Sequence, residues 1–341
     1  MTGIMPVMCD RLPGKQGRLV NTVPLDCAMS GMGKAPSAVI MVRPAVFYSN
    51  PETALDNGFQ TDVGVNRAGL LKKAQNEFDN FVRVLRETVK VQVTVVQDEA
   101  DPPKPDAVFP NNWFTTHADG TLAIYPMLAL SRRRERGLLE KLIRELQDSG
   151  YVVKREVDLT TLEDSDAFLE GTGALVFDNP NRAVYVAVSK RATKDAIQRW
   201  SEHFSNFEIV PFSAVDGRGV CIYHTNVMLT LGTEFALVCL DAVRDANEKA
   251  RVLAKLKDTQ KEVILLTLAQ IDKFAGNAFE LTGSDGVRRL VMSETAFSCL
   301  TREQLSSLNK HVKVVSVPLE TIEISGGSAR CMLAANLLPH I

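Results

Sequence analysis

Short apolar segments of strand length alternate with amphipathic helical segments along almost the whole chain, and this alternation constrains the fold more than any other feature. Residues 39–42, 91–97 and 235–240 are apolar runs typical of buried strands. Residues 70–89 and 134–150 have the apolar spacing of helices, and Gly150 ends the second helix. The order of strand, helix and strand predicts an α/β fold. The same alternation recurs in residues 151–158, 174–178, 182–189, 194–204, 207–212, 245–259, 262–267, 288–293, 301–311 and 312–319.

The domain organisation follows from the continuity of this pattern. No linker or change of composition divides it, so we expect one domain built from repeated strand, helix and strand modules, residues 38–341. Residues 1–37 are rich in glycine, methionine and proline and have neither helical nor strand periodicity. This segment is predicted to be a flexible N-terminal extension.

Charge and cysteine content exclude several classes of partner. The 39 basic and 41 acidic residues nearly balance, which predicts no binding to nucleic acid or to a membrane surface and favours a small-molecule ligand. The six cysteines form no CxxC pair, so we expect neither a metal site nor a disulfide framework. A reducing, cytoplasmic location is expected, and oligomeric state is left open. Cys221 and Cys239 lie in apolar runs and are expected in the core.

Four polar stretches do not fit the pattern of solvated helix faces. Each residue in them has an ordinary structural explanation as a turn former, a cap or a buried core residue, and a free cysteine is usually buried and inert. Together, however, they supply a thiol, an imidazole, a carboxylate and short polar side chains, which is the set that cysteine catalysis requires. The paired glycines Gly326 and Gly327 would let the backbone approach a reacting centre closely. The polar residues are Asp106, Asn111, Asn112, Glu170, His224, Asn226 and Cys331, with His224 and Asn226 expected inside a strand.

Several short sequence motifs of the chain resemble those of the guanidino-group-modifying superfamily, which comprises arginine deiminases, dimethylarginine dimethylaminohydrolases, amidinotransferases and dihydrolases. The motifs that carry the resemblance are "MVRPAVFYSNPETALDNGFQ", "FPNNWFTTHADG", "YHTNVML", "AGNAFEL" and "GGSARCMLA". Within the superfamily, the chain looks most similar to citrulline-utilisation hydrolases. The resemblance implies a single-domain α/β-propeller of five ββαβ-type modules, the pentein fold, with the active site in the central channel.

The resemblance also implies roles for three residues. Cys331 would be the nucleophile that forms a covalent thio-intermediate with the trigonal carbon of the substrate. His224 would act as general acid and base. Glu170 would contact the terminal nitrogens of the substrate and help to position this chemistry.

Three further residues are implied to bind the amino-acid head group. Asp106 occupies the position that holds the substrate α-ammonium, and Arg132 and Arg191 occupy positions of arginines that grip the α-carboxylate. For both arginines a solvated charge cluster at a helix start remains the alternative.

Two departures from the arginine deiminase pattern point to the substrate. Asn112 and Asn226 stand where arginine deiminases carry aspartates. A guanidinium has only donors and is best met by carboxylates, whereas a neutral ureido group has a carbonyl oxygen that an asparagine can bind. The sequence therefore favours hydrolysis of citrulline to ornithine, ammonia and carbon dioxide.

Other functions remain open at this point. Dihydrolases also carry an asparagine at the position of Asn112, so an arginine dihydrolase ranks second and a simple deiminase third. An amidinotransferase would use the same intermediate. A catalytically inactive binding protein of the same fold would be expected to lack the cysteine or the histidine, and both are present. No cofactor or metal is implied.

Overall fold

The structure is a computed structural model that describes residues 35–54, 56–61 and 67–341. Of the predicted extension, residues 1–37, the part from residue 1 to residue 34 lies outside the described residues. The first strand begins at Ala38, close to the predicted start of the domain.

The apolar runs of the sequence form short strands, as their alternation predicts. The strands are β1 (Ala38–Arg43), β2 (Gln92–Gln97), β3 (Phe114–Thr116), β4 (Thr121–Ile124), β5 (Arg155–Asp158), β6 (Leu175–Asp178), β7 (Ala183–Ala187), β8 (Glu208–Phe212), β9 (Leu229–Leu231), β10 (Phe235–Val238), β11 (Glu262–Leu265), β12 (Phe279–Thr282), β13 (Arg288–Ser293), β14 (Lys313–Val317) and β15 (Ala334–Ala335).

Helices cover the amphipathic segments. They are α1 (Arg67–Val84), α2 (Leu130–Arg133), α3 (Leu139–Asp148), α4 (Gly171–Ala174), α5 (Lys194–His203), α6 (Ala246–Asp258), α7 (Leu268–Ile271), α8 (Glu294–Ser298), α9 (Arg302–Leu308) and α10 (Glu320–Glu323), with a π-helical turn at Leu85–Val89 and 3₁₀ turns at Pro110–Asn112, Arg134–Leu138, Thr160–Ser165, Thr225–Val227 and Leu240–Ala242.

The strands form five three-stranded sheets of one pattern: β3-β4-β5, β6-β7-β8, β9-β10-β11, β12-β13-β14 and β15-β1-β2. In each sheet the first strand runs antiparallel to the middle strand. A helical crossover then leads to a third strand parallel to the middle one, as parallel pairing requires. These are the expected ββαβ modules of an α/β-propeller.

The first strands of neighbouring modules contact one another, and this places the site. β15 contacts β3, β6 contacts β9, and β9 contacts β12. Residues just before these inner strands therefore meet around a common centre.

The chain closes on itself in the β15-β1-β2 sheet. Val39 pairs with Ala335 and Ile40 pairs with Ala334, so the last strand completes the module that the first strand began. Apolar clusters pack between the sheets and their helices, with Trp113 and Trp200 almost fully buried.

Two local expectations are wrong. Residues 151–158 form a strand only from Arg155, because Tyr151 makes a single bridge to His340 instead. His224 and Asn226 do not lie inside a strand. They flank Thr225 at a 3₁₀ turn, where the Thr225 hydroxyl donates to the carbonyl of Ala174 at 2.5 Å.

Candidate active site

A small, partly open cavity lies where the segments before the inner strands meet, and we call it the front cavity. It is lined by Thr53, Asn57, Asp106, Phe109, Asn112, Arg132, Arg191, Tyr223, His224, Ser325, Gly326, Gly327 and Cys331.

Cys331 lies in the turn between the glycine pair and β15, with its side chain almost fully buried. Its Sγ lies 3.2 Å from Nδ2 of Asn277 and 3.5 Å from Nδ2 of Asn226. Amide N–H groups aimed at sulfur are arranged to stabilise a thiolate. Cys331 therefore has the surroundings of a nucleophile.

His224 is paired with a carboxylate behind it. Its Nε2 lies 2.8 Å from Oε2 of Glu170, and both side chains are buried. Because a carboxylate only accepts hydrogen bonds, Nε2 carries the proton, and Nδ1 keeps the lone pair when the ring is neutral. Burial lowers the pKa of His224, although the hydrogen bond and charge of Glu170 oppose that shift.

Glu170 is held as a carboxylate by a ring of cations. Burial alone would raise the pKa of Glu170, but Arg191, His224 and Arg132 outweigh it and hold that pKa at about 2. Oε2 of Glu170 lies 3.6 Å from Nη1 of Arg191 and 3.8 Å from Nη1 of Arg132. Its Oε1 accepts from the backbone N–H of Leu128 at 3.1 Å.

Asn112 is oriented by Arg132. Nη1 of Arg132 donates to Oδ1 of Asn112 at 2.7 Å. A guanidinium has no acceptor, so it can bind only the oxygen end of the amide. Nδ2 of Asn112 is buried and has no hydrogen-bond partner among the described residues, which leaves a donor available to a ligand.

The other N–H donors of Arg132 form hydrogen bonds within the protein. Nε and Nη2 bind the two carboxylate oxygens of Glu135 at 2.8 and 2.9 Å, and Nη2 also donates to the carbonyl of Phe109 at 3.1 Å. Burial lowers the pKa of Arg132, but Glu135 and Asp106 outweigh this effect, and the net shift is upward.

Arg191 is fixed in a similar way by a different acid. Its Nε donates to Asp56 at 3.1 Å, and its Nη2 binds the same carboxylate and the carbonyl of Thr53. Its guanidinium stacks 4.8 Å from the ring centre of Tyr223. The alternative of a solvated arginine cluster is wrong for both Arg132 and Arg191, because each is only 2 to 3% exposed.

Asp106 completes the polar wall of the front cavity. Its Oδ2 accepts from Nδ2 of Asn50 at 2.7 Å and lies 3.9 Å from Nε of Arg132. Burial raises the pKa of Asp106, and Arg132 and Asn50 oppose that rise.

Residues 43–338 match the family model of eukaryotic N,N-dimethylarginine dimethylhydrolases. The chain belongs to this family. It is a family of hydrolases that act on C–N bonds, so the expected resemblance to guanidino-group-modifying enzymes is confirmed. No curated protein sequence matches the chain.

Solved structures match at the level of the fold. The N-terminal domain of ArgZ, covalently bound to a reaction intermediate, is 17% identical with a TM-score of 0.68, covering 89% of this chain and 99% of that chain. AgrE with ornithine and NAD⁺ is 18% identical with a TM-score of 0.67, covering 89% and 39%. A dimethylarginine dimethylaminohydrolase adduct with S-methyl-L-thiocitrulline is 16% identical with a TM-score of 0.62, covering 88% and 100%. The chain spans about 41% of ArgZ, an arginine dihydrolase of Cyanobacteria. The expected pentein fold is confirmed.

In this dimethylargininase-family chain, the structure brings most of the predicted residues together. Asp106, Asn112, Arg132, Arg191, His224 and Cys331 line the front cavity. Glu170 lies behind His224, and Asn226 lies beside the thiol but lines a second cavity instead.

Sequence reasoning missed Asn277, Glu135 and Asp56. Asn277 is a polar residue in the otherwise apolar motif "AGNAFEL", and that contrast could have drawn attention to it. Glu135 follows Arg132 at the i+3 spacing of a helical ion pair, which is a weak signal. Nothing in the sequence links Asp56 to Arg191, because the pair is made only by the tertiary fold.

Gly173 permits a close approach that a side chain would block. A Cβ at this position would lie 2.3 Å from Nδ2 of Asn112 and 2.7 Å from Nδ1 of His224. The glycine of "EGTGA" therefore makes room for the amide and the imidazole together.

Cys221 and Cys239 were both expected in the core. This is wrong for Cys221, which is exposed and forms a bridge with Val215, and confirmed for Cys239, which is buried.

Among the described residues, no group of three or more His, Cys, Asp or Glu side chains is placed to hold a metal ion. No helix of the described chain is both long and apolar enough to span a membrane.

Proposed function

We propose that the protein hydrolyses the ureido group of a free amino acid, most simply citrulline to ornithine, ammonia and carbon dioxide. The single observation that carries this proposal is the hydrogen bond from Arg132 to Oδ1 of Asn112, which leaves only the Nδ2 donor of Asn112 for a ligand.

This donor discriminates between a ureido group and a guanidinium. A ureido oxygen can accept a hydrogen bond from the Asn112 N–H. A guanidinium has only N–H groups, so one of its donors would face the Asn112 donor without an acceptor between them. Burying an unmatched donor pair costs about 1 to 3 kcal/mol. Arg132 and Arg191 are already paired with Glu135 and Asp56, so the discrimination rests on the Asn112 donor.

The head group of the substrate has partners at the cavity wall. Asp106 is a buried carboxylate suited to an α-ammonium group. Among the described residues, Nη1 of Arg191 has no hydrogen-bond partner and lies 3.6 Å from Oε2 of Glu170, so it can donate to an α-carboxylate. The donors of Arg132 are committed to Glu135, Asn112 and Phe109, and its predicted contact with the α-carboxylate stays a prediction.

The reaction proceeds in two halves. Neutral His224 takes the proton of the Cys331 thiol as the sulfur attacks the ureido carbon. The bond from that carbon to Nδ of the substrate breaks, and ornithine leaves with that proton from His224. Water then attacks the S-carbamoyl cysteine while His224 takes its proton. The C–S bond breaks, and the carbamate released decomposes to ammonia and carbon dioxide. Glu170 holds the Nε2 proton of His224 throughout and stabilises the imidazolium.

The test is product analysis with citrulline, arginine and N,N-dimethylarginine as substrates, measuring ammonia, citrulline and ornithine. Wild type should convert citrulline best. Asn112→Asp should slow citrulline turnover by about 10- to 100-fold, because the carboxylate cannot donate to the ureido oxygen. The same change should retain or increase reaction with arginine. Asn206→Asp, an exposed position, should leave both reactions unchanged.

Each contrary result selects another reaction. Conversion of arginine to citrulline with citrulline left untouched would establish a deiminase, and conversion of arginine through to ornithine a dihydrolase. Release of dimethylamine from dimethylarginine alone would place the methylated substrate first. Turnover only when an amine is added would indicate an amidinotransferase, and failure with every substrate would favour a binding protein.

A further inference from the structure

A second cavity lies on the other side of the catalytic thiol, and we call it the rear cavity. It is larger than the front cavity and shares no lining residue with it. Residues of all five inner strands line it, together with residues just before them. The lining includes Phe114, His117, Phe177, Leu231, Phe279 and Arg330.

The order of residues along the chain shows how the two cavities are related. Asn112 lines the front cavity and Phe114 the rear one, and His224 and Asn226 divide in the same way. At the C-terminal end the neighbours Arg330 and Cys331 face different cavities. The rear cavity therefore lies one step further along the same inner strands, behind the thiol.

Arg330 is the one lining residue of the rear cavity whose side chain carries a full charge at neutral pH. Nη1 of Arg330 donates to the carbonyl of Leu333 at 2.6 Å, and the guanidinium stacks 4.1 Å from the ring centre of Phe279. No carboxylate of the described residues lies within ion-pair distance of it, in contrast to Arg132 and Arg191. Burial lowers the pKa of Arg330 to about 10 and Cys331 opposes that shift, so Arg330 is a cation with no carboxylate counter-charge among the described residues.

The other polar groups of the rear cavity do not supply that counter-charge. The hydroxyls of Thr116, Thr172 and Thr230 donate to backbone carbonyls. Burial lowers the pKa of His117 to about 4, so its ring is neutral. The rest of the lining is largely aromatic and aliphatic. A ligand that matches these walls has one negative charge and an apolar body.

We propose that the rear cavity binds a small organic monocarboxylate, with its carboxylate paired to Arg330 and its hydrocarbon body packed against the apolar walls. Such a ligand occupies the far side of the thiol and leaves the front cavity free for substrate.

Binding at Arg330 is connected to the nucleophile by two hydrogen bonds. The backbone N–H of Arg330 donates to Oδ1 of Asn277 at 3.0 Å, and Nδ2 of Asn277 lies 3.2 Å from Sγ of Cys331. The guanidinium charge of Arg330 also lies close enough to Cys331 for the two side chains to interact electrostatically. A carboxylate that neutralises Arg330 is therefore expected to slow the reaction of Cys331 with iodoacetamide.

The experiment measures binding of hexanoate and its neutral analogue hexanamide to the full chain by calorimetry. Wild type should bind hexanoate about 10- to 100-fold more tightly than hexanamide, the usual value of a charge-assisted hydrogen bond. Arg330→Gln should remove that preference. Arg191→Gln, which alters the front cavity instead, should leave hexanoate binding unchanged.

A second variant keeps the test decisive where Arg330→Gln fails to fold. Val176→Trp fills the rear cavity from a half-buried position on β6 and should abolish binding of both compounds while Arg330 stays in place. Loss of hexanoate binding in Arg191→Gln, or competition with citrulline, would assign the carboxylate to the front cavity and overturn the proposal. Equal binding of hexanoate and hexanamide, or no binding at about 10 mM hexanoate, would also overturn it. None of these measurements depends on the proposed reaction.

Discussion

Arg132 contacts Glu135, Asn112 and the carbonyl of Phe109, and these contacts set the polarity of the front cavity. A buried guanidinium without partners would destabilise the fold by several kcal/mol, and Glu135 offsets that cost with two hydrogen bonds. The hydrogen bond from Arg132 to Asn112 fixes which end of the Asn112 amide faces the ligand. Arg132 therefore acts through Asn112 on any ligand that enters the front cavity.

Glu170→Gln tests the pairing behind His224. The change removes the negative charge that opposes the lowering of the His224 pKa, so that pKa should fall further. Activity requires neutral His224 and is lost when the ring protonates, so the acid limb of kcat/KM should move to lower pH. The rate at the optimum should fall by about 10²- to 10⁴-fold, because the ring loses its fixed tautomer. The pH–rate profile measures both effects. Glu140→Gln, at an exposed position, is the control, and an unshifted acid limb would remove Glu170 from this role.

Asn277→Ala tests the amide that contacts the thiol. Loss of the Nδ2 donor should slow alkylation of Cys331 by iodoacetamide and lower kcat by about 10-fold or more. The change also leaves the Asn226 carbonyl and the Arg330 N–H without their partner, so thermal unfolding is measured alongside.

Thr230→Val serves as the comparison for Asn277→Ala, because the Thr230 hydroxyl bonds the carbonyls of Gly276 and Ala278 on either side of Asn277 without touching sulfur. It should reduce stability with little effect on alkylation. Equal slowing in both variants would show that loop stability, and not the amide, governs the thiol.

How much of the site the sequence could predict depends on whether a residue stands out from its neighbours. Cys331, His224 and Glu170 interrupt apolar segments, and the family motifs around them supplied hypotheses for their roles. Asp56 lies in a loop rich in polar residues, and only the fold brings it to Arg191, 135 positions away. Such pairings depend on the approach of distant segments and have no local signal.

At the scale of elements, the site is built from short turns placed before the inner strands. The sequence predicted the long helices and buried strands well, because their periodicity extends over many residues. Turns of three or four residues have no such periodicity. The turn at Thr225–Val227 is fixed by the Thr225 hydroxyl, which donates to Ala174 and accepts from the N–H of Ala187, and both partners belong to the preceding module.

Gly173→Ala tests the fit of α4 against its neighbours. The added methyl group must displace the amide of Asn112 or the ring of His224, so kcat should fall by about 100-fold and unfolding free energy by about 1 to 3 kcal/mol. Gly137→Ala is the matched control, because a Cβ there meets nothing within 4 Å. That change should leave activity unaltered and stability equal or slightly higher. Steady-state kinetics and chemical denaturation measure both, and a fully active Gly173→Ala enzyme would refute the close fit.

At the scale of the whole molecule, five similar modules form a ring that one short strand closes. β15 contributes only two residues to its sheet, yet Cys331 precedes it by three positions. The position of the Cys331 thiol therefore depends on the packing of the C-terminal segment against the first module.

Leu338→Ala tests this dependence. Leu338 is buried in the cluster with Trp113 and Phe114, and its truncation should lower unfolding free energy by about 2 to 4 kcal/mol. Ile341→Ala, at a side chain 91% exposed, should change stability by less than about 0.5 kcal/mol. Thermal unfolding followed together with ammonia release is expected to show that Leu338→Ala loses activity at a lower temperature than wild type. Identical melting of the two variants would mean that the ring holds without this contact.

The pairing of β1 with β15 also has a consequence for biosynthesis. A ribosome delivers β1 first and β15 last, so one edge of β1 stays unpaired while the other four modules emerge, and it is open to mispairing with another nascent chain. Cys331 arrives with the strand that covers this edge. A nascent chain that already holds His224 and Glu170 therefore lacks the proposed nucleophile until the same event that removes the aggregation hazard.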